Sequence, residues 1–154
     1  MIKLSRMADY GVVLMTQLAR QSEAVRTAPD LAQACGLPLP TVSKILKLLG
    51  QDGLLASHRG TKGGYELARN AERITVADII GALDGPIALT DCMGPDGQVC
   101  EIEALCPTRT NWRRINDAMI QALSGVSLAD MALPTVAFEL RLPAPVPAPM
   151  DVMG

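Results

Sequence analysis

The sequence has too little of several residue types for many protein classes to be open to it. Its 154 residues include one histidine, His58, so no Ser/His/Asp catalytic set can be assembled. It also lacks a glycine-rich phosphate loop and a pair of catalytic carboxylates, so neither an enzyme nor a small-molecule substrate is expected. Aromatic residues make up 3%, which leaves Leu, Ile, Val, Ala and Met to build any core. No apolar run reaches the roughly 18 residues of a membrane span. The start, MIKLSRMADYG, has no continuous apolar stretch of the kind that directs secretion. A cytoplasmic protein with no membrane partner is the expectation. In a reducing compartment its four cysteines are expected to bind metal, sense redox state or lie buried, not to form disulfides.

What is present is unevenly distributed. The net charge is only -2, but Lys44, Lys47, Arg59, Lys62, Arg69 and Arg73 outnumber Asp52, Glu66 and Glu72 across the middle of the chain. From Thr75 to Glu103 every charged residue is acidic. One region is suited to a polyanion and the next is not.

The apolar periodicity predicts a helix from about Ser5 to Gln21, with Met7, Gly11, Leu14 and Leu18 on one face. Thr27 and Asp30 mark the start of a short helix that Gly36 stops, near Cys35. Pro40 then opens a third helix, with Val42, Ile45 and Leu49 as its apolar stripe and Gly50 and Gly53 at its end. Residues 54–57 and 65–67 read as strands joined by the glycine-rich, basic loop HRGTKGG. Thr75 and Asp78 start a helix over Val76 to Leu83. Trp112, Ile115, Met119 and Ala122 or Leu123 mark a longer one, stopped at Ser124-Gly125, and residues 127–131 form one more turn. The end, LPAPVPAPMDVMG, is proline-rich and expected to be a disordered or extended tail.

Helix, short helix, tight turn, helix, then hairpin is the order of a winged helix-turn-helix, in which the second helix of the pair enters the major groove. Thr41, Ser43, Lys44 and Lys47 lie off the apolar stripe and supply a polar, basic front for phosphates and base edges. Arg59 and Lys62 sit in the hairpin loop, where glycines let backbone approach DNA and Arg59 suits a narrow minor groove. His58 reads equally as a solvated loop residue or as a backbone contact. The predicted fold is mainly α, with a two-stranded β-wing, a cysteine loop and a long C-terminal helix.

Three cysteines fall at C-x7-C-x5-C in a loop rich in Gly, Pro and acids: Cys92, Cys100 and Cys106. Soft thiolates select zinc, copper(I) or iron–sulfur clusters. A structural zinc site needs four nitrogen or sulfur ligands, and no histidine stands nearby. Cys35 lies inside the helix-turn-helix and reads as a small core residue. A loop of free thiols acting as a redox switch is the alternative.

Together, "MIKLSRMADYGVVLMTQLA", "LAQACGLPLPTVSKILKLLGQDGLLASHRGTKGGYELAR" and "ITVADIIGALDGPI", with the cysteine loop and the helix after it, resemble the IscR/NsrR (Rrf) family of winged-helix transcription regulators, whose members include regulators of iron–sulfur assembly. "RGTKGGYELAR" is the most specific piece, and the likeness reaches to about Leu133. The resemblance implies a homodimer on operator DNA, paired through the long C-terminal helix. It implies a cluster on Cys92, Cys100 and Cys106 that reports iron–sulfur status, redox or nitric-oxide stress. Some relatives place a histidine three residues after the last cysteine, where this chain has Arg109. Others bind [4Fe-4S] with an aspartate of the partner subunit, which Asp9 matches. The resemblance therefore favours [4Fe-4S] over [2Fe-2S], although the first cysteine spacing exceeds the family's usual x5. The chain divides by expectation into a DNA-binding domain (1–73), a connecting helix (74–90), a cluster loop (91–109), a dimerisation helix (110–133) and a tail (134–154). A cluster-free thiol-switch repressor is the first competing function. An iron–sulfur enzyme or electron carrier is the second.

Overall fold

The computed structural model describes residues 3–21, 24–94 and 106–133. Cys100 and the proline-rich tail lie outside the described residues.

Every α-helix but the one that follows Thr108 begins where a short polar side chain can accept an otherwise unpaired backbone N–H, or where proline fixes the turn. Helix α1 spans Arg6–Arg20; the Ser5 hydroxyl accepts the Ala8 N–H at 3.0 Å. Its inner face carries Ala8, Gly11, Leu14, Met15 and Leu18. Helix α2, Ala28–Cys35, is capped by Thr27 and stopped by Gly36, whose φ of 64° is left-handed backbone that glycine adopts without steric cost. Helix α3, Leu39–Gln51, starts one residue before Pro40 and runs through Gly50. It buries Val42, Ile45, Leu46 and Leu49.

The hairpin follows. Strand β1, Leu55–His58, pairs antiparallel with β2, Gly64–Leu67, in the register Leu55↔Leu67 to His58↔Gly64. The sequence reading missed a third partner, Arg26. Its N–H and carbonyl exchange hydrogen bonds of 2.9 and 2.8 Å with Tyr65, which ties the segment before α2 to the root of the wing. Gly64 permits this approach, since a Cβ there would stand 2.6 Å from the Arg26 carbonyl oxygen.

Helix α4, Val76–Asp84, opens with the Thr75/Asp78 capping box and lies along α1. After a strap to a short 3₁₀ turn at Asp91–Met93, the chain re-enters the described residues at Cys106 and forms α5, Arg109–Ser124. The last helix, α6, Leu128–Ala132, returns to the head. The Leu128 N–H donates to the Ile74 carbonyl at 2.7 Å, and the Val76 N–H donates to the Val126 carbonyl at 3.0 Å. Leu128 is fully buried in a core shared with Leu14, Leu18, Leu31, Ile45, Leu49 and Ile79. A smaller apolar cluster of Ala8, Val76 and Ile80 gathers Ile87, Leu123 and Val126. This arrangement is a winged helix-turn-helix head followed by an arm.

Candidate nucleic-acid interface and cysteine loop

Burying Val42, Ile45, Leu46 and Leu49 turns the opposite side of α3 outward. Ser43, Lys44 and Lys47 are exposed there and Thr41 is half-buried. The N-terminus of α3 has no side-chain cap. Leu39, 43% exposed in its first turn, was not singled out by the sequence reading. An apolar side chain at that end of a groove-reading helix can meet a thymine methyl. Arg59 and Lys62 are exposed in the wing loop. Within the wing, His58 is engaged: its Nε2 lies 2.7 Å from Glu66 Oε1, joining β1 to β2.

At the cysteine loop the structure describes two of the three thiols. Cys92 and Cys106 are both half-buried. Each shares a hydrogen bond with a threonine hydroxyl two residues away. The Thr90 Oγ1–Cys92 Sγ distance is 3.2 Å and the Cys106 Sγ–Thr108 Oγ1 distance is 3.4 Å. Thr108 occupies the N-cap of α5, yet its hydroxyl makes no capping bond. The hydrogen bond from Thr108 to the sulfur, supported by backbone N–H groups, holds the Cys106 thiol below the usual range, against the opposing effect of burial. Burial pushes the Cys35 thiol up, with the Arg26 charge in opposition, and Cys35 packs against the main core. The T-x-C and C-x-T spacings were visible in the sequence; their hydrogen bonds were not.

The donor chemistry of the loop fits a thiolate-bound metal or cluster. Among the described residues no three metal-ligating side chains come together, and Cys100 lies outside them. Asp9 is exposed on the first turn of α1. With Lys3, Arg6 and Tyr10 it lines a surface hollow of about 420 Å³. Arg109, the first residue of α5, is half-buried, and its N–H donates to the Cys106 carbonyl at 3.4 Å.

One further residue escaped the sequence reading. Asn116, on α5, is 5% exposed; its Oδ1 accepts the Leu89 N–H at 3.0 Å and its Nδ2 donates to the Ile87 carbonyl at 3.3 Å. A polar residue inside the apolar spacing of Trp112, Ile115 and Met119 was the available signal. On the outer side of α5, Trp112 is 40% and Ile115 50% exposed.

A groove-sized helix with a polar front, set beside a basic glycine-rich wing, defines a DNA-binding transcription regulator of the winged-helix class. Comparison with known proteins gives the particular family. The family described as "Rrf2: Iron-dependent Transcriptional regulator" matches residues 4–133. The chain is 31% identical to the HTH-type transcriptional regulator IscR of Xenorhabdus nematophila over 131 residues, covering 84% of this chain and 79% of that protein. Among solved structures it is similar to T. potens IscR, with a TM-score of 0.68, 28% identity and 93% of each chain covered. It is also similar to CymR, the global cysteine regulator of B. subtilis, with a TM-score of 0.67, 32% identity and coverage of 86% of this chain and 97% of that one. The chain belongs to the Rrf2 family of transcriptional regulators and is not an enzyme. No helix among the described residues is long and apolar enough to cross a membrane.

Proposed function

We propose that the protein is a homodimeric, operator-binding regulator whose DNA affinity answers to an iron–sulfur cluster on Cys92, Cys100 and Cys106. Asp9 of the partner subunit is the fourth ligand and [4Fe-4S] the favoured cluster, with [2Fe-2S] second. The genes it controls are then those of iron–sulfur assembly or of redox and nitric-oxide stress. One observation carries the reading: a DNA-facing head shares its chain with a loop whose two described thiols are each held by a threonine hydroxyl. Hydrogen bonds to ligating sulfur are a means of tuning a cluster. Bound there, a cluster would supply a redox- and oxygen-sensitive centre. The protein's own part is to orient the thiols and to link their loop to the paired heads.

In this reading Lys44, Lys47 and Lys62 contact phosphates, Thr41 and Ser43 contact phosphates or base edges, and Arg59 enters the minor groove. The exposed seam of Trp112 and Ile115 on α5 is the surface that meets its twin. The proposed division of labour is a DNA-binding head (1–73), a connecting helix (74–90), a cluster loop (91–109), a dimerisation arm (110–133) and a tail (134–154).

The test is iron and sulfide analysis with visible spectra of anaerobically purified protein. Alanine at Cys92, Cys100 or Cys106 is expected to abolish the cluster, and alanine at Cys35 to leave it. Loss of iron in Cys35→Ala alone overturns the ligand assignment. Asp9→Ala is expected to keep the dimer and shorten the cluster's lifetime; an unchanged spectrum and lifetime rule Asp9 out.

The hydrogen bond between the Cys106 thiol and Thr108, which holds that thiol below its usual range, favours a second reading, a cluster-free thiol switch. A colourless anaerobic preparation that binds its operator only when reduced would establish that reading instead. A footprint on the DNA upstream of its own gene separates both from an electron carrier, which leaves none.

A further inference from the structure

Helix α5 buries one residue, and that residue is an asparagine. Leucine has the same branched skeleton and would continue the apolar seam. Packing therefore gives no reason for an amide here; hydrogen bonding does. Both bonds of the Asn116 amide go to main chain, to alternate residues of one short strap, 27 and 29 positions earlier in the chain. The amide thus serves as a one-residue strand edge for the segment between α4 and the cysteine loop. Ile87, at one end of the strap, packs into the smaller apolar cluster. Leu89, at the other, stands three residues before Cys92. The far side of the loop reaches the same helix through the chain itself, because Cys106 stands three residues before Arg109, where α5 begins. Both flanks of the loop are therefore mounted on α5, one by covalent continuity and one by Asn116.

We infer that Asn116 is a positioning residue for the cysteine loop: it fixes the Cys92 flank to α5 and so links the thiols to the helix that exposes Trp112 and Ile115. The clamp stands on geometry alone; its consequence for a cluster rests on the function proposed above. Half-buried main-chain groups such as those of Ile87 and Leu89 open more readily when they lose their partners. Partners that orient a metal ligand commonly change metal affinity roughly 10- to 100-fold when removed.

The test uses the full-length chain with Asn116→Leu, which keeps the branched side-chain skeleton and removes both bonds, and Asn116→Asp, which keeps the acceptor for the Leu89 N–H. In reduced, metal-free protein, amide exchange at Leu89 is expected to accelerate about tenfold in Asn116→Leu and less in Asn116→Asp. Exchange at Ile45, in the core of α3, is expected to stay as in the parent chain. After anaerobic reconstitution with iron and sulfide, the cluster of Asn116→Leu is expected to decay in air roughly 10-fold faster. Unchanged exchange at Leu89, or exchange rising equally at Leu89 and Ile45, overturns the inference. If Asn116→Leu does not fold, Asn116→Asp decides by the same measurements; failure of both to fold makes the residue merely structural and overturns it. A parent chain that takes up no iron or sulfide overturns the cluster reading, whereas accelerated Leu89 exchange still supports the clamp.

Discussion

Helix α3 buries four side chains in 13 residues, all aliphatic, and helix α5 buries one in 16, an amide. The two helices therefore depend on different partners. Every apolar position on the inner face of α3 meets α1, α2, α4 or the wing within the same chain. Helix α5 has close neighbours in α4 and the strap it clamps, and it leaves Trp112 and Ile115 outside. A helix with so little burial is not held by its own propensity, because isolated helices of this length are marginal in water. The core around α3 is closed within the chain, with Leu128 of α6 included, whereas α5 leaves Trp112 and Ile115 exposed, the face assigned to the second copy in the proposal.

That contrast can be broken by mutation, and the sharpest cut falls in the head. Ile45→Ala removes a fully buried side chain and is expected to destabilise the head by about 2–5 kcal/mol, read by urea unfolding. A loss under about 1 kcal/mol would show that the α3 core is not what holds the head together. On the arm, Trp112→Ala is expected to weaken the dimer by about 2 kcal/mol or more, with far less effect on head unfolding. Analytical ultracentrifugation reads the first quantity and urea the second; equal loss in both would erase the distinction between head and arm.

Smaller effects sharpen the comparison by function. Lys44→Ala is expected to weaken operator binding broadly and lower the salt slope by about 1.8, as one phosphate contact is lost from each protomer. Arg59→Ala is expected to act preferentially at sites with a narrow minor groove. Neither change is expected to alter iron content, so a variant that loses both DNA and iron would contradict the assignment of roles. The least disruptive probe is thiol labelling of apo-protein near neutral pH. Cys106, held below the ordinary thiol range, reaches its reactive thiolate at lower pH than a free cysteine; Cys35, pushed up by burial, reaches it at higher pH. Mass spectrometry is expected to find Cys106 alkylated before Cys35, and the reverse order would refute the contrast.

The head was legible because its signals are local. Alternating capping residues and apolar faces placed α1 to α4 within a residue or two, since Ser5, Thr27 and Thr75 act on N–H groups three residues away. The hairpin was anticipated, with β1 lying one position later and β2 starting one residue earlier than read, because strand ends are set by pairing, here also by Arg26 against Tyr65. The arm was legible only as a helix. Asn116 was passed over in the sequence, because its role depends on a strap 27 residues away.

The sequence by itself determined where helices start and stop, which face of α3 is apolar, and which residues are soft enough to hold a metal. Those properties follow from covalent structure, side-chain chemistry and a period of 3.6. The tertiary structure decided that α6 returns to complete the head's core, that Thr108 turns to the Cys106 sulfur and makes no capping bond, and that Asn116 fastens the strap leading to Cys92. Each is a choice between competing partners for one polar group or one apolar face. Such choices are made only when distant segments are brought within hydrogen-bond or van der Waals distance of each other.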